Sequence, residues 1–303
     1  MWIRSLIVLA GCAFGCDRSK PEPEDATQQG NGSQDPAEQA AHFDRKCVAG
    51  DLEACRQLAV MYAEGIGVSP DPRRSTALFL QACAGNNLPA CNALALALAE
   101  GIGVERQPAK AVEVYQKACD AQFKIACRNL GLMLRDGRGV AIDLPRAQLL
   151  LDKACKGNVP FACSNAGDLD VTLAAKNGAA SLRASIAHYK QGCDGGDPTA
   201  CRKLGLAYLD GKAVPKSTSA AAMWLERACM PDDPIACRVL GAMKLQGIGT
   251  PRDAERGKQM LVRACDAKDA EACAVLKELS ESPDAGVAED AGAPLSDARS
   301  RPE

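Results

Sequence analysis

Fourteen of the sixteen cysteines in this chain form seven pairs with seven residues between the members, as in "CDAQFKIAC" at 119–127. Cysteine pairs can form disulfides, bind metal or exchange disulfides, and their spacing separates these chemistries. Zinc sites favour two to four intervening residues and often use histidine, but this chain has only two histidines, His42 and His188. Exchange chemistry favours C-x-x-C, which does not occur. We therefore expect structural disulfides, no bound metal and no cofactor.

Two disulfide pairings are sterically possible. One joins the two members of each C-x7-C, and the other joins cysteines of successive pairs, beginning with Cys55 and Cys83. The second pairing leaves Cys47 and Cys273 without partners, whereas the first uses all fourteen cysteines. Each predicted disulfide closes a loop of about nine residues and contributes about 2–3 kcal/mol in the chain-entropy model. The predicted disulfides are Cys47–Cys55, Cys83–Cys91, Cys119–Cys127, Cys155–Cys163, Cys193–Cys201, Cys229–Cys237 and Cys265–Cys273.

The second cysteine of each pair recurs every 36 residues, apart from one interval of 38 between Cys163 and Cys201. After each of these cysteines the apolar residues follow a helical spacing, as Leu130 and Leu134 do beside the small Gly131. A glycine ten residues after the cysteine predicts a left-handed helix end, and a second helix then runs to the next pair. Two helices per 36 residues predict an all-α, right-handed αα-solenoid of the tetratricopeptide kind. It comprises six disulfide-stapled repeats with half-repeats at both ends.

The fourth repeat departs from this pattern. It is two residues longer, lacks the G-x-G turn, and has Asp170 where Tyr62 and Tyr208 stand in the first and fifth repeats. We expect an irregular turn there and a local change in superhelix pitch.

The first residues have the layout of a signal peptide, because Arg4 precedes the apolar run Ser5–Ala10. The stretch "LAGC" resembles a bacterial lipobox, which implies cleavage after residue 11 and lipidation of Cys12. Cys16 is the rival lipid site, and a plain secretory signal without lipid is the other alternative. We predict a signal peptide at 1–11, a disordered tether at 12–35, the solenoid at 36–280 and a disordered tail at 281–303. The expected location is the bacterial cell envelope, lipid-anchored and facing the periplasm or the exterior, as the many cysteines also indicate.

The repeated "LG..Y..G.GV" turns, with Lys or Arg before Ala in the second helix, resemble the Sel-one-like repeat over residues 47–273. The added C-x7-C resembles the cysteine-rich, secreted Hcp-like branch of that family. The resemblance implies one disulfide per repeat and an extracytoplasmic location. It also implies an adaptor that assembles protein complexes, although some members of the branch are described as penicillin-binding proteins or weak β-lactamases.

Catalytic motifs are absent from the sequence. No serine has lysine three residues later, as a serine β-lactamase requires, and there is no G-x-S-x-G, H-E-x-x-H or P-loop. A Ser/His/Asp set could still assemble in space. The net charge of -2 gives no general attraction to nucleic acid. We therefore favour a non-enzymatic protein, with a weak β-lactamase or penicillin-binding protein as the alternative.

Two columns of polar residues on the first helix of each repeat suggest a binding groove. Together they would give the concave face one basic and one acidic edge, suited to an extended peptide or a loop of a partner protein. The alternatives are ordinary solvated helix ends and a purely structural spacer. The only membrane contact we expect is the lipid anchor. The first column is Arg56, Asn92, Arg128, Ser164, Arg202 and Arg238, and the second is Glu64, Glu100, Asp136 and Asp210.

Overall fold

The computed structural model describes residues 35–231 and 233–281, which form fourteen α-helices and no strand. The predicted signal peptide, the lipid site at Cys12, all but the last residue of the tether, and the tail after Glu281 lie outside the described residues. The chain divides into two compact units at Ile142 and Asp143. The all-helical αα-repeat architecture predicted from the sequence is confirmed.

Unit 1 contains the first six helices, and unit 2 contains the other eight. The helices of unit 1 are α1 (Pro36–Val48), α2 (Leu52–Glu64), α3 (Pro72–Ala84), α4 (Leu88–Glu100), α5 (Pro108–Asp120) and α6 (Lys124–Asp136). Those of unit 2 are α7 (Leu144–Lys156), α8 (Ala162–Asn177), α9 (Ala179–Asp194), α10 (Pro198–Asp210), α11 (Thr218–Cys229), α12 (Pro234–Gln246), α13 (Ala254–Asp266) and α14 (Ala270–Glu281). In chain order, α1 and α14 are the half-repeats. The even-numbered helices from α2 to α12 open the six repeats, and we call them A helices.

Short polar residues start most of these helices. Asp51, for example, accepts hydrogen bonds at Oδ1 from the backbone N–H groups of Glu53 and Ala54, both at 3.0 Å. Such a cap satisfies backbone donors that have no partner within the first turn of a helix. The regular A helices end as predicted, at glycines in the left-handed conformation: Gly65, Gly101, Gly137, Gly211 and Gly247.

The second glycine of the G-x-G turn allows successive repeats to approach closely. At Gly103, φ is +69°, and an added Cβ would lie 2.0 Å from the carbonyl oxygen of Pro72, at the start of α3. Gly67 has the same relation to Pro36, and Gly249 a similar one to Thr218. The turn therefore packs against the first turn of a helix in the preceding repeat.

The core lies along the apolar sides of the A helices. The leucine three residues after the second cysteine of a pair is almost fully buried in the five regular repeats, at Leu58, Leu94, Leu130, Leu204 and Leu240. The small residue beside it permits close helix packing, since a Cβ on Gly241 would lie 2.9 Å from the carbonyl oxygen of Gly257 on α13. The aligned methionines Met61, Met133 and Met243 are also buried.

All seven predicted disulfides are present, with Cα–Cα distances of 4.5 to 4.8 Å. Each joins the end of one helix, or the residue beside it, to the first turn of the next.

The irregular turn expected in the fourth repeat is confirmed. Helices α8 and α9 each have 16 residues, whereas the regular helices have 12 or 13. They are joined at Gly178 alone, with φ +61° and ψ −146°.

Candidate binding face

The predicted basic and acidic columns are the two ends of one line of side chains on each A helix. Residues four and eight positions apart lie on the same side of a helix. The line therefore passes through one further residue, midway between the columns. On α4, for example, it runs from Asn92 through Leu96 to Glu100. We call each such line a stripe. The four complete stripes are Arg56–Val60–Glu64, Asn92–Leu96–Glu100, Arg128–Leu132–Asp136 and Arg202–Leu206–Asp210.

In unit 2 the basic ends of the stripes are bound to the neighbouring repeat. Arg202 Nε lies 3.0 Å from Oδ2 of Asp233, which also caps α12 by accepting a hydrogen bond from Ala236 N. Arg238 makes the same contact with Asp269, at 3.1 Å, before α14. The side chains of Arg202 and Arg238 are only 18% and 13% exposed, and those of their aspartates 8%. Their guanidinium groups therefore connect one repeat to the next.

The first two repeats have a related contact. Arg56 Nε donates to Glu53 at 3.0 Å, and Asn87 Nδ2, from the cap of α4, donates to the same carboxylate at 3.0 Å. The hydrogen bond and charge of Arg56 lower the pKa of Glu53 to about 2, with a smaller effect from Asn87. Asn92 accepts a hydrogen bond at 2.9 Å from Nδ2 of Asn129 on α6. A helices of successive repeats are thus joined by side chains at the predicted basic column. Arg128, at the start of α6, is partly exposed.

The acidic ends of the stripes are more exposed. The last residue of each of these helices is exposed: Glu64, Glu100, Asp136 and Asp210. Glu100 pairs with Arg138 at 2.7 Å, across the turns of two repeats. Asp136 pairs with Arg135 at 2.6 Å, and Asp210 with Lys212 at 3.4 Å. Both members of the Glu100–Arg138 pair are 42% exposed, so this edge carries charges of both signs in contact with solvent.

Sequence reasoning missed the apolar middle of the stripes. Val60, Leu96 and Leu132 are partly exposed, whereas Leu58, Leu94 and Leu130 on the same helices are buried. Their signal in the sequence was an apolar residue midway between the two polar columns. Unit 1 therefore has three complete stripes on the consecutive A helices α2, α4 and α6. We call these nine residues the unit 1 stripe face.

In unit 2 the stripe on α8 is replaced by Ser164, Asp168 and Thr172. Asp168 forms an ion pair with Lys203 of α10 and accepts a hydrogen bond from the Tyr189 hydroxyl at 2.8 Å. Burial and the charge of Asp168 raise the pKa of Tyr189. The central residue of this stripe is therefore charged and already bonded.

A second polar cluster in the irregular repeat surrounds His188 of α9. Its Nδ1 lies 2.7 Å from Asp170 of α8, and its Nε2 lies 3.3 Å from Asp152 of α7. Hydrogen bonds to Asp152 and then to Asp170 raise the pKa of His188 to about 9, although burial acts in the opposite direction. The only sequence signal for the cluster was Asp170 at a position where the first and fifth repeats have tyrosine.

This cluster contains the residue types of a catalytic triad without its geometry. A triad needs a hydroxyl beside the free nitrogen of the imidazole. Here both nitrogens face carboxylates, and Ser185 donates its hydroxyl to the carbonyl of Leu182 at 2.7 Å.

Within residues 35–231 and 233–281, no group of three or more His, Cys, Asp or Glu side chains could hold a metal ion. None of the described helices is long and apolar enough to cross a membrane.

Comparison with protein families finds one match. The Sel1 repeat family model matches residues 52–87, 88–123, 124–159, 198–230 and 234–269, which together exceed half of the chain. The unmatched segment between 159 and 198 contains the irregular pair α8 and α9. A comparison with curated proteins gives no significant match.

Among solved structures, the chain is similar to a protective antigen of uropathogenic Escherichia coli with an SLR fold, at 22% identity and a TM-score of 0.69. The match covers 82% of this chain and 53% of the antigen, so the chain spans about half the antigen's length. A Sel1 repeat protein from Oxalobacter formigenes matches at 21% identity and a TM-score of 0.66, covering 76% of this chain and 99% of that protein. The cysteine rich protein B of Helicobacter pylori matches at 26% identity over 45% of this chain and 96% of its own length, with a TM-score of 0.36.

Proposed function

Since the chain belongs to the Sel1 repeat family, we propose that it is a non-enzymatic scaffold whose unit 1 stripe face binds an extended segment of a partner protein. The observation that carries the proposal is the partial exposure of Val60, Leu96 and Leu132 in the same register on three successive A helices. Val60 also packs in part against the core of unit 1, and a contiguous apolar patch that remains accessible to solvent often marks a site where another protein binds.

The polar neighbours of this row suit a peptide main chain. The amides of Asn92 and Asn129 bond to each other at 2.9 Å, and each amide has further donors or acceptors for backbone groups. The acidic ends and Arg138 offer charges of both signs at one edge. The proposed segment therefore has apolar side chains for the row and main-chain groups for the amides.

A selection from a random peptide display library tests the proposal on the oxidised full chain. We expect enriched peptides to lose affinity by about tenfold or more on Leu96→Glu or Leu132→Glu, because a carboxylate would enter an apolar contact. The matched control is Leu80→Glu on α3, where the leucine is 57% exposed and outside the face. Thermal unfolding checks that each variant is folded. Failure to enrich any peptide, or equal binding to all three variants, would contradict the proposal.

The two predicted columns need different tests. Because Arg202 and Arg238 connect repeats, their substitution is expected to affect stability as well as binding. The acidic ends of unit 1 can be neutralised by Glu64→Gln, Glu100→Gln and Asp136→Asn. If these carboxylates contact the ligand, selected peptides with basic residues should bind the triple variant less tightly, with the difference shrinking at high salt.

The weak β-lactamase alternative has no supporting observation, since no S-x-x-K occurs in the sequence. Turnover of a chromogenic β-lactam by the pure protein, unaffected by the Leu96 and Leu132 substitutions, would favour it over the scaffold.

The seven disulfides support a location outside the reducing cytoplasm. We further propose lipid attachment at Cys12, which rests on the sequence alone. Mass spectrometry of the processed N-terminus tests this, with Cys12→Ala expected to abolish lipidation and Cys16→Ala expected to preserve it. The opposite result would assign the lipid to Cys16, and an unmodified mature protein would indicate a plain secretory signal.

A further inference from the structure

The last disulfide differs from the other six in its access to solvent. Cys265 and Cys273 are both partly exposed. Each of the other six disulfides in the described helices has at least one buried cysteine, and only Cys83–Cys91 has a partly exposed member. An A helix inside a unit is covered by the helix that follows it, whereas the described part of the chain has no helix after α14.

Helix α14 is also held by few buried contacts. Among its 12 residues only Ala272 is buried, while Val275, Leu276 and Leu279 are partly buried against the core of unit 2. Its other anchors lie at its N-terminal end. There Asp269 caps the helix, and Arg238 pairs with Asp269 and, at 2.7 Å, with Glu271. An isolated helix of this length is only marginally stable in water.

We propose that Cys265–Cys273 is the redox-accessible disulfide of the chain, and that its reduction by a dithiol releases the C-terminal half of α14 from unit 2. Attack by a thiolate of the dithiol on one cysteine sulfur breaks the S–S bond and forms a mixed disulfide. The second thiol of the reagent then closes its own disulfide and frees the first cysteine. The protein disulfide gains two electrons and two protons and becomes two thiols, while the dithiol is oxidised to a disulfide.

Access explains why this disulfide reacts before the others. A thiolate must reach a sulfur directly, and a buried disulfide can be attacked only after local opening of the fold. Local unfolding requires the least free energy at the ends of a repeat array, where each helix has a neighbour on one side only. The Arg238 ion pairs do not depend on the disulfide, so the first turn of α14 is expected to remain docked longest.

Partial reduction of the oxidised full chain with limiting dithiothreitol provides the first test. Free thiols are trapped with N-ethylmaleimide and located by peptide mass mapping. We expect Cys265 and Cys273 to be labelled at least about tenfold faster than Cys229 and Cys237, with Cys83 and Cys91 second. Labelling of another pair first, or of all seven pairs together, would overturn the proposal.

Hydrogen exchange provides the second test, on the partly reduced wild type and on a Cys265→Ser/Cys273→Ser variant. We expect faster exchange at residues 274–281 and unchanged exchange in α10 and α11. The matched control is Cys83→Ser/Cys91→Ser, in which α4 should keep its protection because α5 still packs against it. Unchanged protection of α14 without its disulfide would overturn the release step. Because the wild type is measured as well, poor folding of a variant does not prevent a decision.

Discussion

At the scale of single residues, the turns between consecutive helices depend on glycine for two separate reasons. One is the left-handed backbone conformation, and the other is contact with the preceding repeat. Gly103 combines both, with φ +69° and no room for a Cβ, whereas Gly50 has φ +95° and no atom within 4 Å of an added Cβ. Comparing substitutions of Gly103 and Gly50 therefore separates the free-energy cost of the backbone conformation from that of the steric clash.

We expect Gly103→Ala to reduce the free energy of unfolding by about 2–4 kcal/mol, because the backbone strain and the clash with the Pro72 carbonyl add. The matched Gly50→Ala should cost only about 1 kcal/mol, since it introduces strain alone. Urea unfolding measures both. Equal losses would show that the turn tolerates the added methyl group by moving.

His188 provides a pH-dependent contribution to stability. Its pKa is about 9 in the folded chain against 6.5 for the unperturbed group, because Asp152 and Asp170 bond to both ring nitrogens. The folded state therefore holds the proton more tightly than the unfolded state does. The stabilisation is complete below about pH 6.5 and is lost as the pH rises through about 9.

Against His188→Asn, the wild type should be more stable by about 2 kcal/mol near pH 6, a value reduced from the full pKa shift because the side chain is partly exposed. The difference should decline above pH 6.5 and become small above pH 9. Thermal unfolding of both proteins across this range is the measurement. A difference that stays constant with pH would mean that the imidazole acts through packing instead of charge.

At the scale of elements, one carboxylate can both start a helix and fix the neighbouring repeat. Asp233 caps α12 through Oδ1 and receives Arg202 of α10 through Oδ2. Asp269 has the same two roles for α14 and Arg238. The aspartates that cap these helices therefore also hold them against the helix of the preceding repeat.

Two substitutions of Asp233 separate these roles. Asparagine retains a good helix cap but loses the charge, so we expect Asp233→Asn to cost about 1 kcal/mol. Asp233→Ala removes both functions and should cost about 2–3 kcal/mol. Urea unfolding compares the two, and Asp253→Ala, which removes the cap of α13, serves as a control. Equal effects of the two Asp233 variants would assign all of the stabilisation to the ion pair.

At the scale of the whole molecule, stability is distributed along the chain. Within each unit consecutive helices pack on one another, and the seven disulfides each close a short loop between consecutive helices. Because every disulfide is local, each acts on its own repeat junction and none connects distant parts of the chain.

Complete reduction should therefore destabilise every junction at once. With about 2–3 kcal/mol lost per disulfide, we expect the melting temperature to fall by at least about 10 °C in excess reductant. Circular dichroism during heating, with and without the reductant, measures this change. A melting temperature that is insensitive to reduction would show that packing between repeats alone holds the fold.

The sequence by itself determined the features that depend on neighbours along the chain. The helices, their left-handed glycine ends and the seven disulfides all involve residues at most eight positions apart, or a pattern that repeats every 36. The irregular fourth repeat was visible as a break in that pattern. Tertiary structure alone decided which side chains of different helices meet. Arg202 reaches Asp233 across 31 positions, and His188 reaches Asp170 across 18. It also decided that the predicted basic column binds neighbouring repeats while Leu96 and Leu132 stay partly exposed, because exposure depends on how closely the helices stack.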